Sequence, residues 1–119
     1  MKTAAQILIG LVCLLHVYIF LLETVLFKAR GAKVFGIPKN EIESRAVAMS
    51  NQGIYNLFLA AALFLGLVHP DPAIAKAFAI FGLVCVAVAG IWGGVTVVRR
   101  ILYIQTIPAL LGLAAIYLF

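Results

Sequence analysis

The stretch AAQILIGLVCLLHVYIFLLETVLF, residues 4–27, holds one charged side chain, Glu23, in an otherwise almost wholly apolar run. A helix needs roughly 20 residues, at about 1.5 Å each, to cross about 30 Å of hydrocarbon, and this run supplies them. Three further apolar runs follow, Ala46–Val68, Ala73–Trp92 and Ile101–Leu118. They are continuously apolar and lack the alternation of a membrane β-strand. The expected fold is therefore all-α: a polytopic transmembrane four-helix bundle, a single domain over residues 1–119, with helices at about 4–27, 41–68, 72–92 and 97–118.

Composition agrees. Of the residues, 66% are hydrophobic and 11% charged, against about 45–50% apolar and about 25% charged in a soluble domain. Disorder is excluded by the same comparison. The first run starts basic, at Lys2, as a signal peptide would. It has no small-x-small cleavage site and is followed by further spans, so it is expected to be retained.

The charges fall between the runs. Lys28, Arg30, Lys33, Lys39 and Arg45 follow the first, and Arg99 and Arg100 lie between the third and fourth. Only Lys2 and Lys76 remain for the opposite side. The positive-inside rule then places both termini outside and the first and third connections in the cytoplasm, as in a multi-pass membrane protein. The net charge of +5 belongs to this headgroup-facing pattern, and no nucleic-acid partner is read from it.

The connections carry their own signals. Gly31, Gly36 and Pro38 mark Lys28–Asn40 as irregular, with Asn40 and Glu43 forming a capping-box-like start to the second helix. In His69-Pro70-Asp71-Pro72, Asp71 suits an N-cap and Pro72 the first helical position. Gly93-Gly94 is the expected break before the fourth helix, with Val95–Val98 as an alternative extension of the third. Ala75, Ala79, Gly82, Ala89 and Gly93 form a small-residue stripe for close helix packing.

Polar residues inside the runs are the candidates for function. Gln6, Cys13, His16, Phe20, Glu23 and Phe27 share one face of the first helix. His16 and Glu23 are about 10 Å apart along the axis, so each needs a partner on another helix. The second helix offers Asn51, Gln52, Tyr55 and Asn56 beyond Arg45, and the fourth offers Gln105 and Thr106 before Pro108. With Phe27, Arg45 and Arg100 taken as the inner edge, Glu23 lies about 6 Å deep, Gln105 about 7.5 Å and Gln52 about 10 Å. His16 and Asn56 come out near 16 Å. Buried ionisable groups in a membrane mark function by default, whereas Asn and Gln also serve as interhelical glue. The spacing matches no bundle metal site and no nucleotide or catalytic-triad fingerprint, and Cys13 and Cys85 suggest no disulfide framework. No cofactor or metal is implied.

His16, Glu23, the segment Asn51-Gln52-Gly53-x-Tyr55-Asn56-x-Phe58-Leu59-Ala60, and Gln105-x-x-Pro108-Ala109 resemble the bacterial family called domain of unknown function 1304. That resemblance covers nearly the whole chain and implies a small four-helix membrane protein with no established reaction. Arg45, Ala48 and Asn51 are also similar to the start of the second helix in membrane-associated eicosanoid and glutathione metabolism enzymes. Ile54 stands where those enzymes carry an acid. A lone membrane glutamate in the first helix is similar to the small multidrug-resistance exporters.

The leading expectation is a cytoplasm-facing polar pocket for a small amphipathic or lipid-like ligand. Glu23, Asn51, Gln52, Tyr55, Asn56, Gln105 and Arg45 would line it, with Glu23 and His16 as the acid–base candidates. The alternatives are a proton-coupled exporter using Glu23, a glutathione- or lipid-metabolising enzyme, and a structural or accessory subunit. Membrane lipids are the expected partners, and so thin a bundle is compatible with a homo-oligomer.

Overall fold

The computed structural model describes residues 1–118. The described residues form helices and no strand: α1 (Thr3–Glu23), α2 (Ile42–Val68), α3 (Pro72–Thr96) and α4 (Ile107–Leu118). Three segments are long and apolar enough to cross a membrane, Thr3–Glu23, Lys39–Val68 and Pro72–Thr96, while Leu102–Leu118 is shorter. The chain divides into two compact units, one formed by Met1–Cys13 with the chain from Leu59 onward, the other by Leu14–Phe58.

In the first unit small residues set the packing. The buried lane of α3 is Ala75, Ala79, Gly82, Val86 and Gly90, the spacing of one helix face. Ala89, expected on that lane, is exposed. A Cβ on Gly66 of α2 would lie 2.9 Å from the Ala79 backbone, and one on Gly82 would lie 2.8 Å from Leu63. Backbones approach this closely only where no side chain intervenes. Cys13 donates its thiol hydrogen to the Ala60 carbonyl at 3.3 Å, and Lys76 lies 5.7 Å from the Tyr117 ring centroid.

Gly93-Gly94 does not break the third helix. α3 runs through both glycines to Thr96, and the chain turns over residues 97–99 instead. The glycines serve contact rather than termination: added Cβ atoms would meet Ile101 and Leu102 at 3.0 Å. At Gly90 a Cβ would lie 2.8 Å from the Thr106 amide nitrogen, and the Thr106 hydroxyl donates to the Ala87 carbonyl at 3.0 Å. The returning chain is a π-helical turn over Leu102–Thr106 before α4 begins at Ile107, not the uninterrupted helix expected from residue 97. Pro108 lies two residues beyond this turn. It has no N–H to donate to the carbonyl four residues back, which fits a widened ladder there. Asp71 does cap α3, accepting from the Ala73 and Ile74 amides at 2.9 and 3.4 Å, with Pro72 opening the helix.

In the second unit α1 stops at Glu23, not at Phe27 as the apolar run suggests. The Thr24 hydroxyl donates to the Phe20 carbonyl at 2.7 Å, a side-chain bond that competes with helix propagation. Leu26 N–H reaches back five residues to Leu21 at 2.9 Å. The next residues are also not the irregular loop expected over Lys28–Asn40. They form a π-helical turn, Phe27–Gly31, and a short α turn, Ala32–Val34, with Phe27 and Ala32 buried. Gly36 then adopts φ 71, a left-handed conformation suited to glycine. Pro38 is extended and α2 is entered through a 3-10 turn, Lys39–Glu41. Asn40 thus sits inside that turn rather than capping the helix.

Candidate functional site

α1 and α2 cross at Gly53. A Cβ there would lie 2.8 Å from Thr24 Cγ2, 3.1 Å from Glu23 Cβ and 3.3 Å from the Phe20 carbonyl oxygen. Only glycine admits this approach without a shift of the helices. It makes Gly53 level with Glu23, so Ile42–Gln52 projects about 16 Å past the end of α1. That projection faces the Phe27–Val34 segment, as the Lys28–Glu43 ion pair at 2.9 Å shows.

The crossing buries Glu23, 2% exposed at the last position of α1. Asn56, one helical turn beyond Gly53, donates its Nδ2 hydrogen to Glu23 Oε1 at 2.5 Å. The same amide group lies 3.4 Å from the Gln52 carbonyl. Reckoned along straight helices, Glu23 and Asn56 differ in depth by about 10 Å. The structure pairs Glu23 with Asn56 because α1 ends early and α2 overshoots it.

His16 is fully buried on the same helix as Glu23. Asn51, Gln52 and Tyr55 are exposed; the Tyr55 ring makes an edge contact with Phe58 at 6.0 Å between centroids. Arg45 is held by Glu41 at 2.6 Å, one turn earlier. Gln105 belongs to the first unit, where its Cβ packs beside Gly90. Gln6, placed on the polar face of α1, is exposed, and the buried face runs through Ala5, Ile9, Val12 and His16.

Beside the crossing lies an open depression of about 510 Å³ lined by Thr24, Ala46, Val47, Ser50, Asn51 and Ile54. Thr24 and Ser50 were not singled out in the sequence. Thr24 follows the acid directly, and Ser50 precedes Gly53 by three residues, which puts both near the closest approach of the helices. Asn56 holds one oxygen of the Glu23 carboxyl, and the depression beside the crossing combines apolar walls with hydroxyl and amide groups.

A family model described as Protein of unknown function (DUF1304) matches residues 10–117. The chain belongs to that family. The match takes in the Glu23–Asn56 pair, Gly53 and every residue of the depression. The chain matches no curated protein and no solved structure.

Proposed function

We propose that this protein is a four-helix component of a bacterial inner membrane, with both termini outside, that binds a small amphipathic or lipid-like ligand at the Glu23 level of α1 and α2. One observation carries the reading: where α1 and α2 approach most closely, an open depression combines Asn51, Ser50 and Thr24 with Ala46, Val47 and Ile54, and Thr24 directly follows the buried Glu23. A polar head would bond Asn51 and Ser50 while its chain lies on Val47 and Ile54. The topology is supported by the seven cations on one side of the runs. Leu102–Leu118 serves as the fourth crossing, with Arg99 and Arg100 reaching the interface to offset its shortness.

A second reading has its own support. Glu23 and Asn56 satisfy one another directly, as a purely structural polar pair would. Purification in nanodiscs with native lipid, followed by extraction and mass spectrometry, separates the two. Ligand binding predicts a specific molecule that is retained by the native chain and lost from Asn51→Leu. An identical extract from both proteins would refute the ligand reading and leave the pair as structural glue.

A further inference from the structure

The segment after α1 folds back along it. A Cβ on Gly31 would collide with the Leu22 carbonyl oxygen, and Arg30 Nε donates to the Tyr18 hydroxyl at 3.3 Å. These two contacts place the guanidinium, on the exposed surface, beside the last turns of α1. Tyr18 is about 7.5 Å before the end of that helix, on an exposed face. Among the described residues no carboxylate pairs with Arg30, whereas Lys28 on the same connection and Arg45 in the first turn of α2 are paired with Glu43 and Glu41.

We propose that Tyr18 and Arg30 form a site for the phosphodiester of an anionic phospholipid in the leaflet at the Glu23 end of α1. The chemistry is specific. Arg30 Nε is taken up by the Tyr18 oxygen, which leaves the Nη hydrogens to fork onto phosphate oxygens. The tyrosine hydroxyl accepts from Nε and so keeps its own proton to donate to the same phosphate. A guanidinium beside a membrane-level helix face meets lipid phosphate there, and the charge of Arg30, offset by no carboxylate among the described residues, favours a lipid without a balancing amine. The site shares no residue with the Glu23 depression and does not depend on it.

The test uses the full chain in nanodiscs of equimolar phosphatidylglycerol and phosphatidylcholine, with retained lipids counted by native mass spectrometry. Phosphatidylglycerol should be retained preferentially, and Arg30→Gln should reduce that preference about fivefold. Arg30→Lys, which keeps the charge but not the fork, should lose most of it as well, and Tyr18→Phe should weaken it. Lys39→Gln should leave it nearly unchanged. Equal loss from Lys39→Gln and Arg30→Gln would reduce the effect to general surface charge and overturn the site. Full retention by Arg30→Lys would overturn it too. An Arg30-dependent preference abolished by millimolar inorganic phosphate would assign the site to free phosphate instead of lipid. Because Gly31, not Arg30, makes the close packing with Leu22, the Arg30 variants are expected to fold; circular dichroism matching the native chain checks this.

Discussion

Replacing Asn56 by leucine removes the amide that donates to Glu23 and leaves a carboxyl that is 2% exposed without its helix-crossing partner. An orphaned buried polar group costs about 1–3 kcal/mol, more than the net worth of the bond itself. Asn56→Leu should therefore destabilise the protein by about 2 kcal/mol. Adding Glu23→Leu to that variant should recover part of the loss, because two apolar side chains of similar size can replace a polar pair at little net expense. Glu23→Gln should be mild, since its amide oxygen can still accept from Asn56. A double-mutant cycle measured by reversible unfolding in mixed micelles reads the coupling directly, at about 0.6–1.7 kcal/mol for an intramembrane bond. If Asn56→Leu and Glu23→Leu prove additive within about 0.3 kcal/mol, the two side chains do not interact and the site described here does not exist.

Other outcomes follow from neighbouring contacts. Gly53→Ala should cost about 1–3 kcal/mol by overpacking and should weaken the Glu23–Asn56 coupling, as the same cycle repeated in that background would report. Gly90→Ala sets a Cβ against the Thr106 backbone, and should lower thermal stability in detergent more than Gly93→Ala, whose neighbour is a flexible isoleucine side chain. Asp71→Ala removes the α3 cap, at about 0.5–2 kcal/mol, with faster amide hydrogen exchange confined to the first turn of that helix. Glu43→Gln breaks an ion pair whose side chains are 62% and 81% exposed, and should change stability by less than about 1 kcal/mol.

Apolar runs separated by charge clusters were enough to make the chain helical and membrane-compatible, and Asp71-Pro72 placed the start of α3 to the residue. These signals are local: a hydrocarbon crossing needs length and apolarity, and a cap needs one side chain beside its own helix. Glu23 and the amides of α2 could also be singled out, because polar groups in such runs stand out by type alone. Which amide meets the acid could not be read in this way. Straight-helix reckoning misplaced Asn56, since it carried α1 on to Phe27 and gave no weight to Thr24 and Gly31. Glycine is ambiguous in the same manner: one pair of letters, Gly93-Gly94, reads as a helix break, yet the missing side chains there admit Ile101 and Leu102. Where a helix ends and which faces touch depend on residues distant in the chain competing for the same backbone groups and the same space. Only the folded arrangement resolves that competition, and it is what joins Glu23 to Asn56 and brings Arg30 back to Tyr18.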